Sequence, residues 1–110
     1  MDNNFFQIQS EINWENLGNG ISRQIYGYDD VIMMVKVKFE KDAIGILHKH
    51  IHSQVTYVES GTFETSIDGI SKTLKKGDGF FAPSQKVHGV VCKEPGILID
   101  VFSPHREDFL

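Results

Sequence analysis

Turn chemistry recurs every few residues along this chain, and that spacing limits its fold more than any other feature. "GYDD" at 27–30, "ESG" at 59–61, "DG" at 68–69, "KKGDG" at 75–79, "APSQK" at 82–86 and "KEPG" at 93–96 carry the Gly, Pro, Asp and Ser that favour reversals. Between them lie "VIMMVKVKFE", "QVTYVES", "TFETSI", "ISKTL", "GFFAP", "HGVVC" and "ILIDVFS", rich in Val, Ile, Phe, Tyr and Thr. Most of these segments are too short for a helix capped at both ends, and they read as strands. In "TFETSIDGISKTL", Phe63, Thr65 and Ile67 alternate with Glu64, Ser66 and Asp68, and Asp68–Gly69 supplies the positive φ of a tight hairpin. The spacing predicts an all-β sandwich or barrel of roughly eight strands. The first 25 residues are the exception, because "SEINWENLG" reads either as a short helix starting at Ser10 or as an extended arm.

A chain of 110 residues fits one domain. Its expected parts are an N-terminal arm or edge segment (1–25), a β body (26–103) and a C-terminal tail (104–110). Eleven Lys and Arg stand against fifteen Asp and Glu, and no segment is basic enough to follow a phosphate backbone, so nucleic acid is not an expected partner. The single cysteine, Cys92, rules out an intrachain disulfide and sits in the apolar run "GVVC", where a buried inert thiol is expected. The start "MDNNFFQIQSEINW" lacks a basic stretch followed by an apolar core, and no window has the apolar length of a membrane span. A cytoplasmic protein without a membrane partner is the expectation.

One segment asks for more than a fold. In "GILHKHIHSQVTYVESG" (45–61), three histidines alternate and an amide ends the row. If the segment is one strand, His48, His50, His52 and Gln54 share a face, with Leu47, Lys49, Ile51 and Ser53 on the other. Imidazoles turned inward without partners are costly, and a divalent metal removes that cost, because neutral imidazole nitrogens are good ligands. An exposed or hydrogen-bonded cluster is the plainer alternative. His88, which follows a turn at Pro83 and opens another apolar strand, has a separation compatible with a fourth ligand from a neighbouring strand.

The last strand carries a second anomaly. In "ILIDVFSPHREDFL", Leu98, Asp100 and Phe102 share one face, and an acid among apolar neighbours is paired, metal-bound or catalytic. Asp100 is read equally as a satisfied structural carboxylate or as a proton-transfer group. Arg106, beyond Pro104, is either a surface charge or a fork for a substrate carboxylate.

These motifs resemble those of small cupins. The first cupin motif, G(X)5HXH(X)3,4E(X)6G, matches His48, His50 and Gly61, with Gln54 where Glu is usual and Asp42 where the opening glycine belongs. The second, G(X)5PXG(X)2H(X)3N, matches Gly77, Pro83 and His88, with Gln85 and Cys92 replacing its second glycine and its asparagine. The resemblance implies a double-stranded β-helix, or jelly-roll barrel. It also implies one divalent metal ion on His48, His50, Gln54 and His88, with Ni, Zn, Co and Fe all suited to such ligands. His52 lies outside the usual set and is expected to touch substrate or to hold a ligand in place. With Gln54 in place of a glutamate the ligands are all uncharged, so the ion keeps its full charge, a stronger Lewis acid suited to polarising a substrate oxygen.

The row and the "DVFSPHREDFL" ending together resemble a narrower group, the pectin degradation proteins that linearise unsaturated uronates. Carried over by position, that group's functional residues fall on Gln54, Asp100, Phe102 and Arg106. The resemblance implies ring opening of a 4,5-unsaturated monouronate, from pectin or alginate breakdown, to a linear 5-keto acid. Asp100 would move the proton, Arg106 would grip the carboxylate, Phe102 would wall the ring, and His52 could also transfer a proton. A homodimer is expected, since small cupins pair through edge strands. The rival readings are a three-histidine cupin dioxygenase, which consumes oxygen, and a non-catalytic sugar- or metal-binding cupin.

Overall fold

The computed structural model describes residues 5–110, so the first four residues of the expected N-terminal arm lie outside it. The described residues form eight strands: β1 (Glu15–Gly18), β2 (Ile21–Tyr28), β3 (Met33–Phe39), β4 (Ile44–His48), β5 (Ser53–Ile67), β6 (Ile70–Lys75), β7 (Gly79–Ala82) and β8 (His88–Ser103). All pairings are antiparallel; the sheet runs β1-β2-β3-β8-β5-β6, with β4 also on β8 and β7 also on β5. The all-β expectation holds. No α-helix occurs among the described residues, and none is long and apolar enough to cross a membrane. Where a short helix from Ser10 was one reading, the chain makes a 3-10 turn (Gln9–Glu11) and then enters β1. Position 26, the expected boundary between arm and body, falls inside β2.

The hairpin at Asp68–Gly69 forms as its chemistry requires, with φ of 50° and 81° and Ile67 opposite Ile70. Two other turn signals behave differently. "ESG" and "KEPG" do not end strands: β5 runs 15 residues through the first and β8 runs 16 through the second. Gly61 adopts φ 85°, and a Cβ on Gly96 would stand 2.1 Å from the Ser60 carbonyl oxygen. Two residues without side chains let the backbones touch there, so β5 and β8 bulge and bend together while staying paired.

That bend positions the interior. In their first and last halves respectively, β5 and β8 set Gln54 opposite Phe102 and Thr56 opposite Asp100. Neighbouring strands extend these rows to Met33 and Ala82, and to Val35 and Phe80. The apolar interior is split. One cluster contains Phe39, Val58, Phe63, Val90, Cys92 and Leu98; the other contains Met33, Val35 and Phe102, with Phe109 packed against it. Cys92 is fully buried and burial raises its thiol pKa, consistent with an inert core residue.

Candidate metal centre

The histidine row is not one strand. β4 ends at His48, residues 49–52 form a connection, and β5 begins at Ser53. His48 pairs with His88 across β4 and β8. His50 hangs from the connection, and Gln54 points inward from β5, where it is buried. Despite the break, the side chains converge. Ligand-capable nitrogens of His48, His50 and His88 all lie within 4.8 Å of one another.

Each ring is oriented by its own backbone neighbourhood. His48 Nδ1 lies 2.7 Å from the Ile46 carbonyl, His50 Nδ1 2.8 Å from the His52 carbonyl, and His88 Nδ1 2.9 Å from the Lys86 carbonyl. A carbonyl only accepts, so each Nδ1 carries the hydrogen and each neutral ring keeps a lone pair on Nε2. Burial is the main cause that lowers the pKa of His50 and of His88, which favours those neutral forms.

Gln54 is oriented too. Its Nε2 donates to Thr56 Oγ1 at 2.9 Å and to Asp100 Oδ1 at 3.3 Å, while Thr56 Oγ1 donates to Asp100 Oδ1 at 2.6 Å. Its Oε1 is thereby turned to His88 Nε2 at 3.1 Å and His50 Nε2 at 3.3 Å. An oxygen lone pair then faces two nitrogen lone pairs, an arrangement that a shared cation satisfies and neutral groups alone do not. This donor set, three imidazoles and one amide oxygen, fits a divalent metal ion.

The centre opens into a cavity of about 280 Å³ between the two apolar clusters, lined by His48, Gln54, His88, Asp100, Phe102 and Arg106 among others. Asp100 is pushed up to about 6, chiefly by desolvation, with the bonds from Thr56 and Gln54 and the Arg106 charge acting in the opposite sense. Arg106 forks onto Asp108, with Nε to Oδ1 at 2.9 Å and Nη2 to Oδ2 at 2.7 Å, and its guanidinium stands 5.2 Å from the Phe102 ring centroid. His52 takes a different place. Its ring adjoins His50 at 5.4 Å but lines a separate depression with Asp30, His105 and Asp108, and its Nδ1 is buried without a hydrogen bond. Its link to the centre is its carbonyl, which holds the His50 ring.

Sequence reasoning missed three residues. Thr56, which bridges Gln54 and Asp100, shares the strand parity of Gln54, and that signal could have found it. Arg23 and Phe109, which also line the cavity, leave no local signal.

Comparison with known proteins agrees with this geometry. The cupin domain family matches residues 35–102. The pectin degradation protein KdgF of Dickeya dadantii (strain 3937) is 51% identical over 105 residues, covering 94% of this chain and 96% of that protein. An RmlC-like cupin from Shewanella frigidimarina NCIMB 400 superposes with a TM-score of 0.96 at 46% identity, covering 97% of this chain and 96% of that one. KdgF from Halomonas sp. superposes with a TM-score of 0.94 at 40% identity, covering 97% and 99%. The fold, the ligand cluster and these likenesses agree: the chain is a cupin and belongs to the KdgF pectin degradation protein family.

Proposed function

We propose that this protein is an enzyme that opens the ring of 4,5-unsaturated monouronates and delivers linear 5-keto acids. The observation that carries this reading is a single cavity lined by His48, His88 and Gln54 together with Asp100, Phe102 and Arg106, with His50 completing the histidine cluster beside it. The likeness to proteins named for pectin degradation supports the substrate class.

In the substrate, C4=C5 is an enol ether within a hemiacetal ring. Loss of the C1 hydroxyl proton lets C1 become a carbonyl as the C1–O5 bond breaks, and the electron pair collects on O5 as an enolate. Protonation at C4 then gives the 5-keto acid, an isomer of the starting sugar, so no redox cofactor or water is consumed. A divalent metal held by His48, His50, Gln54 and His88 would supply Lewis-acid stabilisation of the charge that develops on oxygen. The neutral ligand set would leave the full positive charge of such an ion undiminished.

Asp100 moves the proton. A carboxyl raised to about 6 is close to neutral operating pH, where it can both take and return a proton. Thr56 and Gln54 both donate to Oδ1, which directs exchange to Oδ2. Phe102, buried opposite Gln54, provides the dry wall that holds the ring and limits water. Arg106, its fork edge occupied by Asp108, meets the substrate with its remaining N–H groups. His52 has a positioning role, since its carbonyl fixes His50.

The barrel in this reading is the closed cupin double-stranded β-helix, and the protein acts as a homodimer. Support for pairing comes from an outward row that crosses β3, β8, β5 and β7 as Met34, Val101, Val55 and Phe81. Phe81 and Val55 are more than half exposed, an apolar stripe suited to a second copy. The decisive assay incubates metal-analysed protein, without oxygen, with pectin-derived and alginate-derived unsaturated monouronates. Ultraviolet absorbance of the unsaturated acid should fall faster than the spontaneous rate and cease to do so after chelation. Oxygen-dependent turnover, or uronate binding without turnover, would refute the assignment.

A further inference from the structure

We propose that Arg23 is a substrate-binding residue of the cavity, a second guanidinium that selects an anionic sugar acid, and that Phe109 positions it together with Arg106. The inference rests on the ring-opening reading above and names how the substrate's acidity is recognised.

Arg23 sits on β2, remote in sequence from both the histidine row and the C-terminal strand, yet it lines the same cavity. Its side chain is only 12% exposed, so the guanidinium is held in the cavity wall and not in open solvent. Glu15 on β1 accepts from Nε at 2.8 Å, which fixes the plane of the guanidinium through one of its five N–H groups. The four hydrogens on the terminal nitrogens are not used in that contact. Arg106 is the more encumbered of the two, because Asp108 occupies its fork edge. The cation better placed to offer a planar pair of donors is therefore Arg23.

Phe109 links them. It belongs to a 3-10 turn (Glu107–Phe109) at the C-terminus, and its ring packs edge-on against Phe102 at 5.7 Å. The Arg23 guanidinium stands 3.9 Å from the Phe109 ring centroid and that of Arg106 stands 4.4 Å from it. One aromatic ring thus gathers two cations that would otherwise repel, and each is further balanced by its own acid, Glu15 or Asp108. Two largely buried guanidiniums beside a cavity of neutral imidazoles form a receptor for a carboxylate and its adjoining ring oxygens. A neutral sugar of the same shape lacks the carboxylate that this pair of cations would hold.

The test uses metal-loaded protein and two readouts. Arg23→Gln should raise KM for the unsaturated uronate about ten- to hundredfold, with kcat changed less than about threefold and metal content unchanged. In calorimetric titration the same variant should lose affinity for a saturated uronate by a similar factor, with no change for the neutral hexose of matching configuration. Arg23→Lys, which keeps the charge and loses the planar fork, should fall between and guards against misfolding of the Gln protein. Phe109→Leu should raise KM about three- to tenfold, and Phe109→Tyr should restore it. An active wild type with Arg23→Gln and Arg23→Lys both unchanged in KM and in uronate affinity would overturn this inference and leave the ring-opening reading standing. A wild type that binds uronate through Arg23 but never turns it over would keep the inference and refute the reaction. A wild type that binds no uronate overturns both.

Discussion

Replacing Asp100 by Asn separates its role in chemistry from its effect on stability. The carboxyl is raised from the ordinary 3.8 to about 6, mainly by desolvation, so the folded chain binds its proton more tightly than the unfolded chain does. The sign follows from linkage. At about pH 3 the group is protonated in both states and costs the fold nothing; through the window from 3.8 to about 6 the cost of ionising it grows, and above that it is fully present. A displacement of this size corresponds to about 3 kcal/mol. Asn keeps an acceptor for Thr56 and Gln54 and cannot ionise. Metal-free Asp100→Asn protein should therefore match the wild type in urea denaturation at about pH 3 and exceed it by up to about 3 kcal/mol at about pH 7.5. His50 and His88, whose lowered pKa values remove stability as pH falls below 6.5, are common to both proteins and cancel in the difference. Metal-loaded Asn protein should retain its ion and lose about a hundredfold or more of turnover. A stability difference independent of pH would refute the desolvation argument, and undiminished turnover would remove Asp100 from the proton transfer.

Gln54→Glu makes the ligand negative and replaces the amide N–H that donates to Asp100 at 3.3 Å by a second carboxylate oxygen, so metal should be held longer against a chelator while turnover falls about tenfold or more. Thr56→Val removes the hydroxyl that both accepts from Gln54 and donates to Asp100; urea denaturation should show a loss of about 1–3 kcal/mol, and metal content should drop as the amide is released. Gly96→Ala drives a Cβ to 2.1 Å from the Ser60 oxygen, and thermal or urea unfolding should register a loss of more than about 3 kcal/mol.

Parity and turn chemistry made much of this molecule legible in advance. The Asp68–Gly69 hairpin and the shared face of Leu98, Asp100 and Phe102 follow from local rules, whereas the convergence of His48, His50, Gln54 and His88 is what the cupin motifs imply. Glycines at 61 and 96 read as reversals from sequence, yet the same residue that reverses a chain also lets two chains touch, and only the partner strand decides which occurs. His52 shows the limit of alternation: once the strand breaks at residues 49–52, parity no longer dictates direction, and its ring leaves the centre. Arg23 and Phe109 were invisible for a different reason. They reach the cavity from β2 and from the final 3-10 turn, through sheet order and tail packing that no short window contains.

The three imidazoles are steadied by main-chain oxygens of residues 46, 52 and 86. Every amino acid owns such an oxygen, so mutation at those sites leaves the braces in place. Wall residues of the cavity can thus be exchanged without disturbing the orientation of the three rings that could hold an ion.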